Sequence, residues 1–278
     1  MKLVNVVKRD KNVLFELSRK NIKTQYRGSF LGVMWTILNP LLTMLVMWLI
    51  FDRIFGVGDP YYPIYLLTGN IVFGALRAST TQALGSLYGN RGILLRTKIA
   101  PYVFPFSYIV SSVINMLFSF IALIPFMIWL SVSNGVNLFT YRLVFIILMI
   151  PALWLFEFGL GITLSILYVF FRDIFHIYNI LMILWQYLTP IFYKATRLGD
   201  GPASIVVKVN PMFYFVTYFR ECIYMGAVGA DPIGTTQLVA PYIPQFATLG
   251  ICYLCGLISF VIGIVFYNIF KEKVLMKV

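Results

Sequence analysis

The chain of 278 residues is 60% hydrophobic and 12% charged, and its 22 Lys and Arg against 10 Asp and Glu give a net charge of +12. A soluble domain is about half apolar and a quarter charged, so a water-solvated core is excluded and lipid is the solvent this composition fits. In such a chain a cationic excess reports orientation in a membrane rather than nucleic-acid binding, because Lys and Arg gather on the cytoplasmic side.

The first 30 residues hold eight cations and no apolar run of the signal-peptide kind, so no cleaved leader is expected. On a helical wheel Glu16, Arg19, Lys20, Lys23 and Arg27 fall within about 100° of arc, and Val13, Leu14, Phe15, Leu17, Ile22 and Tyr26 fill the other side. This predicts an amphipathic helix within residues 1–30, lying along the inner leaflet as an anchor or as a gate. Six apolar stretches follow, roughly 31–55, 62–88, 102–132, 143–171, 174–193 and 246–270. Each has the ~20 residues a helix needs to cross hydrocarbon, and their unbroken apolarity excludes a closed β-barrel. The second is unusually polar. The fold expected is all-α and polytopic, a single transmembrane domain with six helices over 31–270 and a cytoplasmic tail at 271–278.

Placing the N-terminus inside gives the inner segments eleven more cations than acids and the outer segments one, so both termini are assigned to the cytoplasm. The inner segment 89–101, "GNRGILLRTKIAP", carries Arg91, Arg96 and Lys98 and no acid. A charge anchor explains its cations but not the apolar Ile93, Leu94 and Leu95. A short loop both basic and apolar suits docking against another protein. The outer segment 194–245 contains "NPMFYFVTYFRECIYMG" at 210–226, too apolar for an exposed loop and too short and charged for another span. It reads as one or two short re-entrant helices dipping into the outer leaflet from an Asn210-Pro211 start, with Phe213 and Phe219 bordering an exit. Arg77 and Glu157 remain inside spans at similar depth. They read as a structural bridge, or Arg77 as a phosphate contact in a pore, or neither.

No G-x-x-x-x-G-K-[ST] occurs, so ATP is not bound here by a P-loop, and no H-E-x-x-H or G-x-S-x-G is present. The single His176 reads as an interface residue rather than a catalyst. Cys252 and Cys255 read as small helix fillers rather than a zinc or redox pair, and no metal site is expected. Aromatic residues make up 17% of the chain. Trp35, Trp48, Trp185, Tyr187 and Tyr193 are candidates for lining a path for sugars, or else for the aromatic belts at the two interfaces.

Four segments, "YRGSFLGVMWTILNPLL" (26–42), "FRDI" (171–174), "LWQYLTPIFY" (184–193) and "NPMFY" (210–214), occur in this order around the six spans. The pattern resembles the membrane subunit of ABC-2 type exporters, closest to the branch that exports lipid-linked cell-surface polysaccharides such as O-antigen, capsule and teichoic acid. The resemblance covers almost the whole chain. It implies a bacterial cytoplasmic-membrane permease, not an enzyme. Two copies would pair and two separate ATPase subunits, which bind the ATP and Mg, would dock below. It also implies that 89–101 is the main coupling helix, with Arg172 and Asp173 as a second contact, and that the N-terminal helix is an interface or gate helix. An ABC-2 exporter of drugs or small lipids, and an intramembrane acyltransferase, are the alternatives.

Overall fold

The computed structural model describes residues 2–25, 28–50, 59–97, 99–195, 201–225 and 244–277. Among them every regular element is helical: α1 (Lys2–Gln25), α2 (Trp35–Trp48), α3 (Tyr62–Gly89), α4 (Arg91–Arg96), α5 (Val103–Ile121), α6 (Leu123–Asn134), α7 (Ile146–Phe170), α8 (Ile174–Leu188), α9 (Pro202–Val209), α10 (Pro211–Arg220) and α11 (Phe246–Lys277). A π-helical turn, Glu221–Met225, extends α10.

Prolines and glycines set several of these boundaries. Pro125 has no N–H to offer the carbonyl four residues earlier, and the helical run over Val103–Asn134 breaks at Ala122 into α5 and α6. Gly135, at φ 64°, ends α6 in the left-handed conformation that suits glycine. The residue before a proline is driven to extended backbone, and Thr189, before Pro190, stops α8 at ψ 131°. Pro40 lies inside α2 and frees the Thr36 carbonyl, which accepts instead from Ser119 Oγ of α5 at 3.2 Å.

Among the described residues three helical stretches are long and apolar enough to cross a bilayer: Val103–Asn134, Tyr141–Phe170 and Phe246–Lys277. α2 and α8 are apolar but shorter, and the expected spans 31–55 and 174–193 are helical only over 35–48 and 174–188 in the regular α-form. Residues 51–58 lie outside the described residues. The expected tail at 271–278 is instead a continuation of α11 as far as Lys277.

α3 explains its own polarity. It packs against α2, α5, α7, α8 and α10, and Tyr62 to Gly69 are all buried. A helix screened from lipid by protein can hold Thr68, Ser79 and Thr80, whose hydroxyls return to carbonyls of their own helix. α7 and α11 pack through small residues. A Cβ on Gly256 would come within 2.6 Å of the Ala152 carbonyl oxygen, and one on Gly263 within 2.7 Å of Gly159 Cα. Ser259 Oγ donates to the Phe156 carbonyl at 2.9 Å across this seam, the close backbone approach that drives helix association in lipid. At the end of the bundle that holds α4, a smaller core gathers Leu17, Leu87, Leu94, Phe104, Ile166 and Val274 from six different helices.

α1 packs along α5, and its contact stripe is partly polar. Ser18 Oγ donates to the Ser107 carbonyl, Ser111 Oγ to the Ser18 carbonyl and Asn21 Nδ2 to Ser107 Oγ. Phe15, placed on the apolar face by the wheel, is 67% exposed, because Leu14, Leu17, Ser18 and Asn21 form the face that meets α5.

Candidate functional site

One end of the bundle brings together two segments singled out in the sequence, 89–101 and Arg172-Asp173. α4 is one and a half turns long and has two unlike sides. Leu94 is buried in the inner core, while Leu95 is 61% exposed and Ile93 is also exposed. Leu94 therefore fixes the helix to the bundle, and Ile93, Leu95 and the exposed Arg91 and Arg96 face outward. Lys98 lies outside the described residues.

Tyr88, at the end of α3, joins this helix to the turn before α8. Arg172 lies over its ring with Cζ 3.5 Å from the centroid, Arg91 approaches at 4.9 Å, and Arg91 Nη1 donates to Tyr88 Oη at 2.9 Å. Two exposed guanidiniums thus share one aromatic ring, and the hydrogen-bonded Tyr88–Arg91 pair stands on the same helix end as Arg172. Asp173 occupies the N-cap position of α8 and is exposed, with no side-chain cap bond. Glu16, Arg19, Lys20 and Lys23 lie on the exposed side of α1 and line one open cleft with Thr24. Arg27 lies outside the described residues. His176 is exposed and edge-on to Phe175 at 5.5 Å.

The outer end is a closed polar knot. Asn210 starts α10 by accepting from the Met212 N–H at 3.0 Å, with Pro211 in the first turn, as expected for an Asn-Pro start. The same Oδ1 accepts from Trp185 Nε1 at 2.7 Å, and Asn210 Nδ2 donates to Thr189 Oγ1 at 2.8 Å. Arg220, buried, donates to the carbonyls of Pro190 at 2.8 Å and Tyr65 at 3.0 Å, and its Cζ lies 3.5 Å from the Tyr65 ring centroid. Tyr65 Oη in turn donates to the Pro190 carbonyl. Glu221, next in the chain, accepts from the Gln245 N–H at 2.9 Å, and burial pushes its carboxyl up to about 7 against that hydrogen bond.

These contacts place the aromatic candidates. Trp185 is held to Asn210, with its ring edge-on to Phe73 and Phe156. Trp48 packs on the main core, and Trp35 Nε1 donates to Ser29 Oγ at 3.1 Å. Tyr193 Oη donates to the Tyr187 carbonyl, and Tyr187 is 62% exposed. Phe219 is fully buried and stacked on Phe120 at 5.1 Å, which removes it from an exit surface, whereas Phe213 is half-buried.

Arg77 and Glu157 do not meet. Among the described residues no ion pair joins them: Arg77 Nη1 reaches Gln186 Oε1 of α8 at 3.4 Å, while Glu157 is wholly buried with neither oxygen hydrogen-bonded. Equal depth fixes position along the bilayer normal but not rotation about each helix axis, and Arg77 lies on the less covered side of α3. Cys222, Cys252 and Cys255 are free thiols, and among the described residues no three His, Cys, Asp or Glu side chains gather as a metal would need. Sequence reasoning missed Tyr65 and Tyr88. Arg220 was counted as outer charge, although its setting in "TYFRECIY" was a visible signal of a cation among rings.

Comparison with known proteins gives one family and three relatives of the same kind. The profile of the ABC-2 type transporter family matches residues 12–224. A Myxococcus xanthus protein named O-antigen export system permease protein RfbA is 28% identical over 225 residues, 81% of this chain and 85% of that protein. Two Klebsiella pneumoniae proteins of the same name are 27% identical over 262 residues and 26% identical over 275, each covering 94% of this chain and 93% of the relative.

Proposed function

The chain belongs to the ABC-2 type transporter family, and on that premise we propose that it is the permease subunit of an ATP-driven exporter of a lipid-linked cell-surface polysaccharide of the O-antigen or teichoic-acid kind. It is a transport subunit rather than an enzyme. ATP and Mg belong to a separate ATPase chain, and the permease works as two copies above two ATPases in a bacterial cytoplasmic membrane. The six apolar stretches are six crossings with both termini inside, α9 and α10 dip into the outer leaflet, and α1 lies at the inner face as an interface or gate helix.

The observation that carries this reading is the near full-length similarity to O-antigen export permeases, covering 94% of this chain in two cases. The geometry of α4 supports the coupling role: a helix pinned by Leu94 presents Ile93 and Leu95 with Arg91 and Arg96 to the cytoplasm, where an ATPase would bind. Arg172 reaches the same surface through Tyr88.

The test is co-purification and rescue. Expressed with the ATPase from its own gene neighbourhood, the permease should yield a complex of two plus two that hydrolyses ATP and restores surface glycan to a strain lacking both genes. ATP hydrolysis by the purified permease alone, or rescue of drug efflux without surface glycan, would overturn the proposal.

A further inference from the structure

A helix enclosed by a bundle has no need of a polar face unless that face meets something polar, and α3 keeps one. Asn70, Gly74, Arg77, Thr81 and Gly85 follow each other at helical spacing, which places them within about 80° of arc. None of the five is fully covered, whereas Tyr62 to Gly69, Ile71 to Phe73, Ala75, Leu76, Ser79, Thr80, Ala83 and Leu84 are buried around the rest of the helix. A Cβ built on Gly74 or Gly85 would meet nothing within 4 Å, so the stripe borders open space. Asn70 Nδ2 and Thr81 Oγ1 have no hydrogen-bond partner. From the facing side Gln186 of α8 supplies its amide to Arg77 at 3.4 Å.

Lipid is a poor occupant for this stripe, because a guanidinium midway along a spanning helix avoids hydrocarbon and turns to protein or water. One turn beyond Gly85, Gly89 and Asn90 border an open cleft of about 420 Å³ between α1, α3 and α5, whose other walls include Lys20, Asn21, Gln82 and Tyr108. Lys20 is the one charged group on that wall, and amides and hydroxyls make up most of the rest. Amides and hydroxyls bind sugar hydroxyls, and two cations spaced along one path suit a phosphate that passes first one and then the other.

We propose that this face of α3 is the wall along which a phosphate-linked sugar chain moves, with Arg77 and Gln186 as mid-depth contacts and the cavity beside Lys20 as its inner mouth. The proposal rests on the export reading above and replaces tryptophans with a polar track as the substrate-facing surface.

The experiment uses the assembled permease–ATPase complex with Cys222, Cys252 and Cys255 replaced by Ala. Single cysteines at Gly74, Thr81 and Gly85 should react with a charged methanethiosulfonate and lose export on modification, while cysteines at the exposed apolar Ile180 and Val261 stay unreactive. Arg77→Gln should lower surface glycan about tenfold, the effect of one charge-assisted hydrogen bond, with Arg77→Lys recovering part of it. Gln186→Glu should lower export too, by placing a negative charge beside the path, and serves where Arg77→Gln assembles poorly. Unreactive stripe cysteines overturn the proposal. So do copper-catalysed disulfides joining two copies at position 74 or 81, which would make the stripe a dimer seam. Unchanged glycan export in an assembled Arg77→Gln complex removes the ligand assignment. A wild-type complex that exports no glycan sinks the export reading instead, while the labelling pattern still reports the path.

Discussion

α3 carries a tyrosine near each end, and an arginine lies 3.5 Å from each ring: Arg220 over Tyr65 outside and Arg172 over Tyr88 inside. The contacts have equal length and unequal meaning. Arg220 is buried, forks onto two carbonyls, and lies so close to Gly69 that a Cβ there would be 2.8 Å from its Nη2. Arg172 is exposed and shares its ring with Arg91. A cation on a ring contributes about 0.5–1 kcal/mol at an exposed site and about 2 when desolvated. The outer pair is thus a fixture that holds α10 and the turn after α8 to α3. The Arg172–Tyr88 pair, exposed, is the weaker contact and the easier to break and remake.

The sharpest way to break this contrast is at Arg220. Arg220→Leu removes two charge-assisted hydrogen bonds, to the Pro190 and Tyr65 carbonyls, and at ~1.5–3 kcal/mol for each the folded permease should be lost from detergent extracts. Arg220→Lys should recover little, because an ammonium cannot reproduce the fork. Folded, monodisperse Arg220→Leu permease on size exclusion would show that the outer knot is dispensable.

Next in size is α4, where two sides of one short helix should separate. Leu94→Ser removes a core side chain and should lower thermal stability by about 2–4 kcal/mol. Ile93→Ser with Leu95→Ser should leave the melting temperature unchanged while the ATPase no longer co-purifies. Equal loss of stability in both variants would erase the distinction.

Smaller still is the inner pair. Tyr88→Leu should cost no more than about 1 kcal/mol of stability yet raise ATP hydrolysed per glycan exported several-fold, and Tyr88→Phe should restore coupling by keeping the ring. A Phe variant as uncoupled as Leu would move the role from the ring to the hydroxyl.

Apart from that order stands an effect of pH at Glu221. The Glu221 carboxyl titrates at about 7 in the fold, against about 4.3 in an unfolded chain. Between those values the unfolded chain releases its proton first, so stability falls as pH rises and levels off above the folded value. Glu221→Gln should flatten the melting temperature between pH 5 and 7; an unaltered slope would assign the titration elsewhere.

What the sequence made legible was local or repetitive. The apolar runs and the Asn210-Pro211 helix start both depend on neighbours within a few residues. Two of the quoted segments, "LWQYLTPIFY" and "NPMFY", turn out to touch through Trp185, Asn210 and Thr189. What stayed hidden depends on rotation about helix axes. Depth suggested an Arg77–Glu157 pair, but the two residues lie on helices whose facing sides no spacing reveals. Leu94 looked like a third docking residue until packing turned it inward. Hydropathy overran the end of α8, because apolar residues continue past the point where Pro190 stops the helix. The polarity of 62–88 was visible, but its cause, burial among several other helices, was not.

The seam between α7 and α11 sets a timetable for the chain's own synthesis. Its two sides, Gly159 on α7 and Gly256, Ser259 and Gly263 on α11, are separated by the whole of residues 171–245. At roughly 5–20 residues per second, the ribosome needs on the order of 4–15 s to make that stretch. For that interval α7 lies in the bilayer with its notch of bare backbone at Gly159 facing lipid or whatever insertion factor shields it. A permease that must hold one helix open for its last one is most vulnerable to degradation while still being made. Pulse-chase labelling should find α11-truncated chains destroyed far faster than chains truncated after α10 are in the presence of a co-expressed α11 fragment.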